Sequence, residues 1–121
     1  MNEKEVFIEN MKRRTKKFCV DTIQFVDSLK NKKASSVITY QLVKSASSTG
    51  ANYRATCKAR SQKEFFAKLS IVVEEVDESE YWLEVIRDAA LSTKPDQLEM
   101  LIKEANELNK ILSRARSNTY R

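Results

Sequence analysis

The carboxylates Glu74, Glu75, Asp77, Glu78, Glu80 and Glu84 crowd one short stretch of this 121-residue sequence, where paired acids could serve as general acid and base or hold a metal. The pairs Glu74–Glu78 and Glu80–Glu84 are four residues apart, so each shares one face if the stretch is helical. A di-iron site of the bundle type also needs a histidine three residues after a glutamate on each of two helices, and the sequence contains no histidine. The same absence removes the Ser–His–Asp and Cys–His arrangements, the commonest general base and the commonest transition-metal ligand. No GxxxxGK[ST] or GxGxxG loop is present to cradle phosphates. The acidic run therefore reads as a solvated or salt-bridged face. No catalytic residue, metal or cofactor is expected, and the protein reads as a non-enzyme.

Two basic clusters point elsewhere. Lys12, Arg13, Arg14, Lys16 and Lys17 wind around more than one face of a first helix, and Arg54, Lys58, Arg60 and Lys63 gather near the end of a second. Residues 1–63 carry 14 Lys and Arg against 5 Asp and Glu, while residues 64–121 carry 8 against 12, so the formal charge of +5 conceals a basic half and an acidic half. That asymmetry suits an anionic partner, a self-complementary oligomer, or both. Arg54 and Lys58 share a helix face and, with Arg60, could meet successive phosphates of RNA or DNA. Trp82, beside the acidic run, is a core or subunit-interface anchor. Cys19 and Cys57 form no CxxC pair and read as reduced packing residues.

The elements that must position these groups are helices. One glycine, Gly50, and one proline, Pro95, leave a sheet protein without its turns. Ile8, Met11, Thr15, Phe18, Thr22, Phe25 and Leu29 alternate steps of three and four, the 3.5-residue period of a bundle seam. Ile38, Leu42, Ala46, Thr49 and Tyr53 form a second seam. Phe65, Leu69, Val72, Val76, Ser79, Leu83, Ile86 and Ala90 form a third, and Leu98, Leu101, Ala105, Leu108, Leu112 and Ala115 a fourth. Ser61 followed by Glu64 reads as a capping box, and Pro95 suits a first helical turn. The spacing predicts one domain, residues 1–121, with helices at about 3–30, 35–59, 61–91 and 94–116. No apolar run is long enough to span a membrane and the first residues carry no signal segment, so a cytoplasmic location is expected.

Beside the second seam runs a polar stripe, Gln41, Ser45, Ser48 and Asn52, with Gly50 within it. Glycine there costs about 1 kcal/mol relative to alanine unless a close backbone approach offsets it. Gln41, Leu42, Ser45, Ser48, Ala51 and Asn52, followed by Ser61, Glu64 and Phe65, carry a resemblance. The stretch Tyr40 to Ile86 resembles the bacterial four-helix bundle proteins of the S23, or 23S ribosomal RNA intervening-sequence, family. A relative of that family is the accessory variability protein of diversity-generating retroelements. Many members follow the asparagine with Ile-Ala-Glu-Gly, where this chain has Tyr53, Arg54, Ala55 and Thr56. The resemblance implies an all-α, antiparallel up-down-up-down bundle assembling into a ring-shaped homopentamer with a nucleic-acid-binding surface. It also implies that Gln41 and Asn52 are satisfied inside the bundle. The expected function is that of an accessory protein binding RNA or DNA. The alternative is a scaffold for a protein partner such as a reverse transcriptase or nuclease.

Overall fold

The structure is a computed structural model describing residues 1–121, and it holds four helices and no strand. They are α1 (Glu3–Val26), α2 (Ser35–Thr56), α3 (Gln62–Asp88) and α4 (Pro95–Ser117). Each helix packs on its sequence neighbour, and α1 closes the square against α4. Every adjacent pair is antiparallel. Gly50 lies against Thr15 and Cys19 against Ser47, Ser45 meets Ser79, Asp77 meets Asn109, and Glu80 meets Asn106. Arg14 meets Glu104 while Thr93 reaches Ser28. Short loops connecting long matched helices give this up-down-up-down order.

The central parts of the predicted seams form the core, while Ile8, Leu29, Phe65 and Ala115 at their ends are half-buried and Ala90 is exposed. Met11, Phe18 and Phe25 from α1, Leu42 and Tyr53 from α2, Leu69 to Ile86 from α3, and Leu98 to Leu112 from α4 belong to one cluster of 19 buried apolar residues. Between them sit small polar residues whose hydroxyls turn back on their own helices. Thr15 donates to the Met11 carbonyl at 2.8 Å, Thr49 to Ser45 at 2.9 Å and Thr56 to Asn52 at 2.7 Å. Ser79 donates to Ser45 Oγ at 2.8 Å, and Ser45 donates to the Leu42 carbonyl at 3.1 Å, so a polar contact crosses the α2/α3 seam inside the core. Only Thr22 Oγ1 is buried without a partner.

The helix ends differ from the sequence expectations for local reasons. The first helix stops at Val26 rather than residue 30. Ser28 Oγ takes the Phe25 carbonyl at 2.6 Å, and the Lys30 amide is drawn across to the Leu91 carbonyl at 2.8 Å, so Lys30 to Lys33 lie in the connection. The second ends at Thr56 rather than 59. The third ends at Asp88 rather than 91 because Ala90 adopts φ 56°, with Leu91 N–H donating to the Ile86 carbonyl at 3.0 Å and Ala90 N–H to Arg87 at 3.1 Å. That is a Schellman turn made with alanine where glycine is usual, and buried Leu91 anchors it. Ser61 caps α3 by accepting from the Glu64 amide at 3.0 Å, but the Glu64 carboxylate turns to Lys68 and Arg60 instead of closing the box. The Thr93 hydroxyl donates to the Ser28 carbonyl at 2.6 Å, and Lys94 holds the N-cap position of α4.

Candidate nucleic-acid interface

Gly50 explains how the α1/α2 seam becomes a furrow. A Cβ built there would lie 3.3 Å from the Thr15 carbonyl oxygen and 3.6 Å from Lys16 Cα, so the bare glycine lets the two backbones come together. Above this contact lies a groove of about 370 Å³ lined by Lys12, Lys16, Cys19, Ser47, Gly50, Ala51 and Arg54. The two basic clusters, remote in sequence, thus meet on one face. Lys16 and Arg54 are exposed and have no carboxylate within ion-pair distance, while Lys12 reaches Glu9 at 3.4 Å. Lys58 is exposed in the turn just past the end of α2, so it does not extend the helix face of Arg54 as the spacing predicted, and Lys63 is exposed at the start of α3. Arg60 sits in the loop, 4.0 Å from Glu64.

The remaining cations of the first cluster divide. Arg13 faces solvent, and Lys17 pairs with Asp21 at 2.7 Å. Arg14 leaves the basic surface altogether. Its guanidinium grips Glu104 through both nitrogens, at 3.1 and 2.7 Å, and Glu107 at 3.0 Å, which raises its already high pKa and ties α1 to α4. Helical periodicity could have found this, because Arg14 falls one step from Met11 and Thr15 on the opposite side of the seam from Lys12.

The acidic run occupies the other side of the square. Asp77, Glu80, Tyr81 and Glu84 line an α3/α4 furrow with Asn106, Asn109 and Lys110, and Asn106 and Asn109 donate to Glu80 at 3.2 Å and Asp77 at 3.3 Å. These carboxylates are spread along the furrow, and no group of three or more converges as a metal would require. Glu75 faces α2 instead. Burial, then the nearby Glu78, raise its pKa above the usual carboxylate range. Trp82 packs partly against the core and gives its indole N–H to Glu78 at 3.1 Å, while Tyr81 beside it is the exposed ring.

The polar stripe separates into two roles. Ser45 is fully buried against Ser79, whereas Gln41, Ser48 and Asn52 are half-buried along the α2/α3 edge. Asn52 donates to its own helix at the Ser48 carbonyl, 2.9 Å, and Gln41 makes no side-chain hydrogen bond, so the expected internal amide network is not formed. Cys19 and Cys57 are free thiols, and burial pushes the Cys57 pKa up against the lowering effect of the Tyr53 hydroxyl and Lys12. Sequence reasoning missed the far end of the α1/α2 seam, where Lys30, Tyr40 and Lys44 line a second hollow. The signal was present: Tyr40, Lys44, Ser47, Ala51 and Arg54 step by three and four along α2.

The fold and these faces define a class: an antiparallel four-helix bundle with a basic furrow on one side and an acidic furrow on the opposite side. The family described as 23S rRNA-intervening sequence protein matches residues 10–114, and the chain belongs to it. It is similar to a crystal structure from Bacteroides thetaiotaomicron described as a protein of unknown function from the S23 ribosomal protein family. The TM-score is 0.79 and the identity 29%, over 92% of this chain and 98% of that one. No curated protein matches the sequence. No helix is long and apolar enough to cross a membrane.

Proposed function

We propose that this protein is a non-enzymatic, oligomeric accessory protein that holds RNA or DNA through phosphate contacts on its basic α1/α2 side. The observation that carries the reading is the convergence of Lys12, Lys16 and Arg54 on one furrow, with Lys58 exposed in the turn that follows α2. Lys16 and Arg54 have no carboxylate partner, Lys12 has only Glu9, and a phosphate backbone supplies repeated anions. Such contacts position a nucleic acid without reading its bases. The opposed charges of the two furrows support head-to-tail association of copies, which we read as a homopentameric ring that repeats the basic furrow once per copy.

The test is anisotropy of labelled RNA and DNA across a salt series, using native protein and an Arg54/Lys58/Arg60 triple-alanine variant, with light-scattering mass recorded on both. The expected result is binding that falls steeply with salt, loss of binding in the variant, and an unchanged mass near five times 14.0 kDa. Absence of binding at low salt removes the nucleic-acid reading. A monomeric mass removes the ring.

A second reading is favoured by one feature, the edge-to-face Tyr81–Trp82 pair, 5.0 Å between ring centroids, standing beside the acidic furrow. Exposed aromatics near charge make good protein contacts. In this reading the protein is a scaffold for a nuclease or reverse transcriptase. A purified partner that binds native protein but not a Tyr81→Ala variant would support it.

A further inference from the structure

The basic groove around Lys12, Lys16 and Arg54 lies toward one end of a longer seam. Along the same α1/α2 seam, beyond Cys19 and Ser47, lies a second and separate hollow that holds Lys30, Tyr40 and Lys44. From Arg54 to Tyr40 the seam spans about 21 Å at the rise of an α-helix. Its lining is mainly cationic: Lys12, Lys16, Arg54, Lys30 and Lys44 stand against Asp27, with Glu9 paired to Lys12. Tyr40 stands at the far end with 63% of its surface exposed, and Ile23, 44% exposed, lies between the two ends. Neither ring nor side chain is needed by the core. No feature of the bundle itself explains why a large aromatic is held in the open at the mouth of a cationic trough.

We infer that the α1/α2 furrow is a binding site for single-stranded nucleic acid, with Lys12, Lys16 and Arg54 following the backbone and Tyr40 stacking on a base. The inference rests on the proposed nucleic-acid function and narrows it to a strand class. Three physical arguments select the single strand. A cationic trough with an aromatic platform is the combination that single-strand sites use, because every base offers a π-face. The furrow lies between neighbouring helices whose axes stand about 8–10 Å apart, drawn close here by Gly50, so a lone backbone enters it. A duplex, whose major groove alone is about 12 Å wide, meets only the rims and leaves Tyr40 without an unstacked base. The length of the seam suits the short end of the roughly 4–16 nucleotides that such sites cover.

The test compares full-length protein binding to labelled oligothymidine, oligouridine and a mixed-sequence duplex of equal length, with native protein and Tyr40→Ala, Tyr40→Phe and Lys16→Ala variants. Both positions face solvent, so the three variants are expected to keep native melting curves. Single strands are expected to bind at least tenfold tighter than duplex. Tyr40→Ala is expected to weaken single-strand binding about fivefold or more, the loss of one stacked base, and to leave duplex binding unchanged. Tyr40→Phe is expected to retain the ring and the affinity. Lys16→Ala is expected to lower the salt slope by about 1. An abasic oligonucleotide is expected to bind native and Tyr40→Ala proteins equally. Duplex binding as tight as single-strand binding, or insensitivity to Tyr40→Ala, overturns the inference while leaving the basic surface as a nucleic-acid site. Failure of every nucleic acid to bind overturns both.

Discussion

Replacing Gly50 with leucine tests the close approach on which the furrow depends. The nearest atoms to an added Cβ are all backbone: the Thr15 carbonyl oxygen at 3.3 Å, the Thr15 carbonyl carbon at 3.5 Å and Lys16 Cα at 3.6 Å. Backbone cannot rotate aside as a side-chain tip can, so α1 must move as a body. Against this stands a gain of somewhat under 1 kcal/mol from leucine's better helix propensity. For alanine the two effects nearly cancel, because one methyl asks for a displacement of a few tenths of an ångström and the propensity gain is about 1 kcal/mol. Leucine brings three further carbons into the same gap, and overpacking of that kind costs roughly 1–3 kcal/mol. The expected outcome is near-native stability for Gly50→Ala and a net loss of roughly 0.2–2 kcal/mol for Gly50→Leu once the propensity gain is subtracted from the overpacking cost. In a domain of this size that is a melting-temperature drop of roughly 1–10 °C. Thermal and urea denaturation by circular dichroism measure it, and nucleic-acid binding of the folded leucine variant should weaken as Lys12 and Lys16 separate from Arg54. A leucine variant with native melting temperature, native mass and native binding would refute the argument that this glycine sets the furrow.

Thr22→Val should stabilise the protein by about 1 kcal/mol, because the change keeps the shape and removes a buried hydroxyl without a partner; denaturant midpoints measure it, and a loss of stability would show that the hydroxyl is in fact satisfied. Ala90→Gly should stabilise by about 0.5–1 kcal/mol, since relief of the left-handed backbone, worth roughly 1–2 kcal/mol, exceeds the added freedom of the unfolded chain. Unchanged or lower stability in urea would contradict the Schellman geometry. Glu75 has a folded-state pKa raised above 4.5, so its ionisation opposes folding as pH rises through the unfolded value and is fully unfavourable above the folded one. Glu75→Gln should therefore be the more stable protein at neutral pH, with the advantage vanishing below about pH 4; an advantage that persists or grows in acid would mean the carboxylate is not the cause.

The alternating spacing of Met11 to Phe25, Ile38 to Tyr53, Leu69 to Ile86 and Leu98 to Leu112 was enough to specify four helices and the core they share. Apolar burial depends on a period, and a period is written in the chain. The close approach at Gly50 was legible for the same reason: a glycine inside an otherwise regular helix needs a neighbour to justify it. Helix ends were less legible. Ser28, Ala90 and Leu91 close the ends of α1 and α3 through turn hydrogen bonds to Phe25, Arg87 and Ile86, and the Lys30 amide joins the Leu91 carbonyl on another connection, a pairing that no local spacing contains. The basic surface was partly legible. Counting cations located two clusters, but only packing decided that Arg14 is spent on Glu104 and Glu107 while Lys12, Lys16 and Arg54 share a furrow. The same packing set Lys30, Tyr40 and Lys44 along the same seam. Charge and periodicity belong to the sequence because they need only residue identity and helical geometry. Which charges remain free is a question of distance across the bundle, and that distance exists only once the helices have chosen their neighbours.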